Sequence, residues 1–311
     1  MAEVRTRDGV WTFDEEVVRI VPGHDRKVHK LRRALGERAV PVAAIAGVAF
    51  EEGRKGGVLR LRLREGADPF LHVTTGGLTD AADPYSLRVP RDAVASAEWF
   101  VDELRHELGP DAATATDRFL LPAPATPLSA TAGDGTVSFD GSRIRIEWTE
   151  WADGPKEDAA PTELAIDAVE GVEWTPIVGL TNGHLRFLVP GAVAKSPDRD
   201  LHCLSWGILR EGGTTSLLAA AVVARLPHPN APAGPAGPAA PQLDPGRPAD
   251  TGATDVPEAP QVPAPAPPVD GTGAEQDDVL RRLRELGALH RDGVLTDDEF
   301  ATAKRALLGR F

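Results

Sequence analysis

Asp8-Gly9-Val10-Trp11-Thr12-Phe13-Asp14 and Asp134-Gly135-Thr136-Val137-Ser138-Phe139-Asp140 are two renderings of one pattern within a single chain. The first continues to Val18-Arg19-Ile20 and the second to Ile144-Arg145-Ile146. Apolar and charged residues alternate there with period two, as in a strand with one wet face. The order of features then repeats. Pro41 to Val48 is matched by the apolar run Leu164 to Val172, and Gly57-Val58-Leu59-Arg60-Leu61-Arg62-Leu63 by Gly183-His184-Leu185-Arg186-Phe187-Leu188-Val189. The repeat is far longer than the 20–50 residues of a solenoid unit, so it marks a duplicated domain.

Gly56-Gly57 and Asn182-Gly183 precede the later strands and suit tight hairpins, because they tolerate positive φ. Val94, Ala97, Val101, Leu104 and Leu108 recur at three- and four-residue steps, which predicts an amphipathic helix, capped by Asp92 and stopped by Gly109-Pro110. A second helix is expected where Thr214-Thr215 precede Leu217, Leu218, Ala221 and Val222, closed by Pro227. The expected fold class is mainly β with terminal helices: two small β-barrel or sandwich repeats over 8–110 and 132–226, each plugged by its last helix.

From Pro227 to Glu275 the chain carries 14 of its 28 prolines and no aromatic residue. Proline removes amide donors, and Ala, Gly and Asp bring too little apolar surface to offset ordering entropy. Residues 227–276 are therefore expected to be a disordered, semi-extended linker. Beyond it, Leu280, Leu283 and Leu286 mark one short helix, and Asp292-Gly293 a turn. Thr296-Asp297-Asp298-Glu299 reads as a capping box that opens a second helix lined by Phe300, Ala303 and Leu307. Two helices of about ten residues are marginal alone. The hairpin over 277–311 is therefore expected to associate with itself or with a partner through Leu280, Leu283, Leu286, Leu295, Phe300 and Leu307. Asp292, Gly293 and Glu299 have EF-hand spacing, but Ala288 and His290 would fall where carboxylates are required, so no calcium site is expected.

Thirty-four basic against 47 acidic residues give a net charge of −13, which argues against nucleic acid as a partner. With no long apolar run and no leader-like N-terminus, the chain reads as soluble and cytoplasmic. One cysteine, Cys203, excludes an intramolecular disulfide, and the eight histidines are scattered without zinc spacing. Cys203 beside His202 reads as a core residue rather than a nucleophile, since strand neighbours point to opposite faces. Glu211-Gly212-Gly213-Thr214-Thr215 lacks the lysine of a phosphate loop and reads as a turn with a threonine cap. Neither a metal, a cofactor nor an enzymatic centre is expected.

One stretch suggests a ligand. His24-Asp25-Arg26-Lys27-Val28-His29-Lys30-Leu31-Arg32-Arg33 gathers five fixed cations, Arg26, Lys27, Lys30, Arg32 and Arg33. Each is worth about 1 kcal/mol near an anionic membrane. The other reading of the same residues is a short solvated helix with Leu31 and Leu35 turned inward. Of the six tryptophans, most are expected in the core, with Trp148 and Trp151 the best interface candidates.

Two resemblances follow from these residues. Leu283, Leu286, Gly293, Leu295, Thr296, Glu299, Phe300, Lys304, Leu307 and Leu308 follow the pattern of the short C-terminal (SHOCT) domain, to which the tail is similar. GVWTFD, GRKGGVLRLRLREGADPF and SWGILREGGTTSLLAAAVVARLPHP resemble the bacterial family of unknown function numbered 4429, a duplicated pleckstrin-homology-like module. Neither resemblance brings an activity or a catalytic residue; the first implies oligomerisation or partner contact. The functional expectation is a non-enzymatic scaffold or adaptor, with a peripheral anionic-lipid binder as the alternative.

Overall fold

The computed structural model describes residues 1–179, 181–207 and 212–231. The linker from residue 232 and the C-terminal hairpin, with Leu280, Leu283, Leu286, Leu295, Phe300 and Leu307, lie outside the described residues.

Strands β1 (Ala2–Arg5), β2 (Gly9–Phe13), β3 (Val17–Pro22) and β4 (Arg38–Pro41) form an antiparallel sheet in chain order. A short helix, α1 (Lys30–Leu35), is set between β3 and β4. A second antiparallel sheet holds β5 (Ile45–Gly53), β6 (Gly56–Leu63) and β7 (Ser86–Pro90), with α2 (Pro69–Thr74) between its last two strands. Helix α3 (Val94–Glu107) closes the unit. The inner faces meet in one core that includes Trp11, Phe13, Leu59, Leu87 and, from α3, Phe100 and Leu104. The alternation read from the sequence is the cause. Leu59, Leu61 and Leu63 are buried, while Arg60 and Arg62 between them are not.

The second copy repeats the plan: β8 (Leu128–Ala132), β9 (Gly135–Phe139), β10 (Arg143–Trp148) and β11 (Thr162–Ala165), then β12 (Gly171–Thr175), β13 (Gly183–Leu188) and β14 (Cys203–Trp206), then α4 (Thr215–Val223). Each copy is thus a sandwich-like pair of four- and three-stranded sheets sealed by a terminal helix. Each also begins one strand before the Asp-Gly pattern, at Ala2 and at Leu128. These first strands bury too few apolar residues to stand out: Ala2 and Val4 in one, Ala130 and Ala132 in the other.

The helix starts differ from the expected caps. Asp92 lies in a 3-10 turn before α3, and no side chain caps that helix. At α4, Thr214 makes no capping bond, while Thr215 Oγ1 donates to the Gly212 carbonyl at 2.6 Å. The expected hairpin at Gly56 is present, and Gly56 has φ +124°, with the place of a Cβ only 2.0 Å from the Val89 carbonyl oxygen. A side chain there would prevent β6 from approaching β7.

All nine residues of α4 are buried, as befits a helix apolar on every side. Leu218, Ala219, Ala221, Val222 and Val223 face the core of their own copy, joined by Val73 from α2 of the first. Leu217 and Ala220 pack with Leu31, Phe70 and Ala82 of the first copy. The two copies therefore share apolar packing through α4. Polar contacts extend the seam: Arg38 donates to the Pro122 carbonyl at 2.8 Å, His228 Nε2 lies 2.9 Å from the Gly66 carbonyl, and Asn230 donates to the Thr116 carbonyl at 3.0 Å. Phe119 lies between His72 and His228, two histidines far apart in sequence. Burial, followed by the neighbouring His228, holds the His72 pKa below its ordinary value.

Candidate functional site

The repeated Asp-Gly pattern has a structural purpose beyond its strand. In the first copy, Arg32 of α1 donates to Asp8 Oδ2 at 2.8 Å, and the backbone N–H of Arg88 on β7 donates to the same oxygen at 3.1 Å. In the second copy, Lys156 donates to Asp134 Oδ2 at 2.6 Å, and the Ser205 N–H on β14 donates to Asp134 Oδ1 at 2.9 Å. Gly23 N–H bonds the Asp8 carbonyl as Thr149 N–H bonds that of Asp134. In both copies one aspartate ties the first hairpin to the last strand of the other sheet, and a cation from the connection after the third strand neutralises it.

The copies then diverge. In the second, the Asp134 N–H also donates to the Ser205 carbonyl at 3.1 Å, and Ser205 Oγ donates to Asp134 Oδ2 at 2.8 Å. Lys156 is 0 % exposed; it also donates to the Pro197 and Cys203 carbonyls and lies 4.9 Å from the Trp148 ring centre. This end of the second copy is zipped shut. In the first copy the Asp8 N–H turns back to Thr6 Oγ1 at 3.1 Å, so the hairpin tip makes no such second bond to β7. There a groove of about 1140 Å³ opens, with Arg7, Lys27, Lys55 and Arg88 among its lining residues.

Of the five cations singled out in the sequence, the structure divides Arg32 from the rest. Arg32 is 4 % exposed, on the groove floor, and committed to Asp8. Its Coulomb field is largely cancelled by that carboxylate, so it is a positioning residue. Lys27 lines the groove; Arg26, Lys30 and Arg33 are exposed but do not line it. Arg7, Lys55 and Arg88 lie outside the 26–33 run in sequence. Only the β1–β2 turn, the β5–β6 turn and β7 bring them to Lys27. Among the described residues none of Arg7, Lys27, Lys55 and Arg88 forms an ion pair. Two of the groove's carboxylates, Asp80 and Glu51, are held by Arg60 at 3.3 and 3.7 Å. The hydrogen bond to Asp80 keeps the Arg60 guanidinium pKa above its usual value. Asp25 and Asp92 also line the groove and carry no ion pair among the described residues.

The solvated-helix reading of the basic stretch also has its counterpart: α1 exists, with Leu31 buried and Leu35 half-buried. His29 caps it by accepting the Leu31 N–H. The tryptophans divide as well. Trp11 and Trp206 are core, and Trp148 and Trp174 are half-buried, while Trp99 and Trp151 are 57 % and 56 % exposed.

Cys203 is buried, and burial pushes its thiol up to about 12, so it is protonated at neutral pH. A second buried polar group lies in the first core. Arg38 Nη2 donates to Asp68 Oδ1 at 2.9 Å, and the Tyr85 hydroxyl donates to Asp68 Oδ2 at 2.5 Å. Asp68 also caps α2 by accepting the Phe70 N–H. Burial, reinforced by the Asp68 charge, drives the Tyr85 phenol well above its ordinary value. This triad is enclosed in the core and presents nothing to solvent. Among the described residues no group of three His, Cys, Asp or Glu side chains is placed to hold a metal ion, and no helix is long and apolar enough to cross a membrane.

No curated protein matches the chain. Two family models do. Residues 281–308 match the short C-terminal domain, SHOCT. Residues 11–105 and 137–223, together more than half of the chain, match the domain of unknown function DUF4429, one segment falling on each structural copy. The chain therefore belongs to the DUF4429 family, with two copies of the family's domain followed by a SHOCT segment.

Proposed function

We propose that this protein is a non-enzymatic bacterial adaptor of the cytoplasm. Its fused DUF4429 copies present binding surfaces, and its SHOCT segment supplies self-association or partner docking. The observation that carries this reading is α4, buried on every side and shared by both copies, which joins the pair in one compact unit. The four-plus-three strand order with a closing helix supports a pleckstrin-homology-like module, an architecture that displays loops at an open end. The groove of the first copy is lined in part by its β1–β2 and β5–β6 turns. Cleavage engineered within residues 232–275, beyond the His228 and Asn230 contacts, is expected to lower the oligomeric order while the paired copies stay folded. Light scattering that gives the mass of one unchanged assembly, corrected only for the removed residues, would refute the association half of the proposal.

A second reading, weak recruitment to an anionic membrane surface, rests on the exposed Arg26, Lys27, Lys30 and Arg33. Arg32 is not a contributor, because Asp8 already holds it. Flotation with phosphatidylserine vesicles at low salt tests this reading; recovery unchanged after charge reversal at those four positions rejects it.

A further inference from the structure

We infer that the groove of the first copy is a docking site for an extended, acidic peptide segment of a partner protein. This rests on the adaptor reading above and names its partner's chemistry.

One scaffold, built twice, is closed at Asp134 and Ser205 and open at Asp8 and Arg88. The closed form shows what the open one leaves unused. In an antiparallel ladder a residue's N–H and C=O point to the same side. The Arg88 N–H reaches Asp8, so the Arg88 carbonyl faces that side too. Its counterpart at Ser205 accepts the Asp134 N–H, whereas the Asp8 N–H has turned to Thr6. β7 is an edge strand of its sheet, so this carbonyl is an acceptor available to an incoming backbone N–H.

Charge selects the occupant. Arg7, Lys27, Lys55 and Arg88 come from four separate stretches of chain, and no carboxylate among the described residues pairs with them. They line one open cleft with Arg5, which Glu3 holds, and with Arg32, which Asp8 holds. Asp25 and Asp92 line the same cleft. A compact dianion would meet those carboxylates at close range, where like charges repel strongly. Carboxylates spaced along a peptide can meet the cations while its amides face Asp25 and Asp92. The volume, about 1140 Å³, also suits several residues rather than a single anion.

The test uses the full chain and a fluorescein-labelled octapeptide, two repeats of Asp-Thr-Glu-Val, titrated by anisotropy at low salt. Saturable one-to-one binding is expected. Reversing two groove cations, Arg88→Glu with Lys55→Glu, removes two attractions and adds two repulsions, so binding should weaken by at least about tenfold. Arg26→Glu with Arg33→Glu, exposed but outside the groove, should change it by less than about twofold. All four side chains are exposed, which keeps the fold intact. Replacing alternate residues of the peptide by proline, which removes donors for the β7 edge, should also weaken binding. Absence of saturation up to millimolar peptide overturns the inference, as does equal loss from the two double variants. Arg88-dependent binding of inositol hexakisphosphate without binding of the peptide assigns the groove to phosphoryl groups and likewise overturns it. The adaptor reading fails separately, in the light-scattering mass of the cleaved chain.

Discussion

Asp134→Ala and Asp8→Ala remove the same residue from the two copies, and the structure sets different costs for them. Asp134→Ala takes from Lys156 its carboxylate partner among the described residues, leaving a fully buried ammonium with two carbonyl acceptors. It also strips the Ser205 N–H and hydroxyl of their acceptor. A charge-assisted bond is worth about 1.5–3 kcal/mol and a neutral one about 1. The loss should come to about 3–5 kcal/mol, the usual cost of breaking a buried pair from one side. Asp8 is 20 % exposed, so water can replace part of what it provides, and Arg32 keeps a bond to the residue-8 carbonyl at 3.4 Å. Its removal should cost about 1–2 kcal/mol. Urea unfolding at neutral pH, followed by tryptophan fluorescence, measures both, with m unchanged. Adding Lys156→Met to Asp134→Ala should recover part of the loss, because the uncompensated charge disappears. Equal costs for the two single variants, or a cost below about 1 kcal/mol for Asp134→Ala, would refute the contrast between a closed and an open copy.

Three further outcomes are expected. Tyr85 is the only tyrosine, so absorbance near 295 nm reads it alone. Its folded pKa is raised by burial, so its contribution to stability is fully present below the unfolded value near 10 and is lost as pH rises above it, by about 1.4 kcal/mol per pH unit. Tyrosinate should therefore appear only together with unfolding, and Tyr85→Phe should remove that alkaline slope; a native transition near pH 10 would contradict the buried triad. Cys203 should resist a disulfide reagent at pH 8 until the chain unfolds, because burial holds the thiol at about 12; rapid labelling of the folded protein would disprove it. Leu217→Ala should destabilise by about 2–4 kcal/mol through the cavity left at the α4 seam, read as a lower urea midpoint.

Much of the fold was legible because strand alternation is a local signal. The Leu59-Leu61-Leu63 and Ile144-Ile146 patterns mark strands with one buried face whatever lies opposite them. The first strand of each copy was not legible, since Ala2–Arg5 and Leu128–Ala132 are too short and too weakly apolar to signal themselves. Pairing with β2 and β9 makes them strands. The expected caps at Asp92 and Thr214 failed for a related reason. A capping residue type permits a bond, but the entry angle of the chain decides whether it forms.

The basic run at 26–33 was read from composition alone. Composition counts every arginine alike, whereas Asp8, 24 residues earlier in the chain, withdraws Arg32 from use.

The sequence by itself determined the duplication, the mainly β class with barrel or sandwich left open, the terminal helices and the composition break after Leu226, because each follows from periodicity, composition or direct self-similarity. Only the tertiary structure decided that the copies share α4, that one carries a closed end and the other an open groove, and that Arg7, Lys27, Lys55 and Arg88 face it together. Those facts depend on which distant residues become neighbours, and a hydrogen bond such as Asp134 N–H to the Ser205 carbonyl leaves no local trace in either segment.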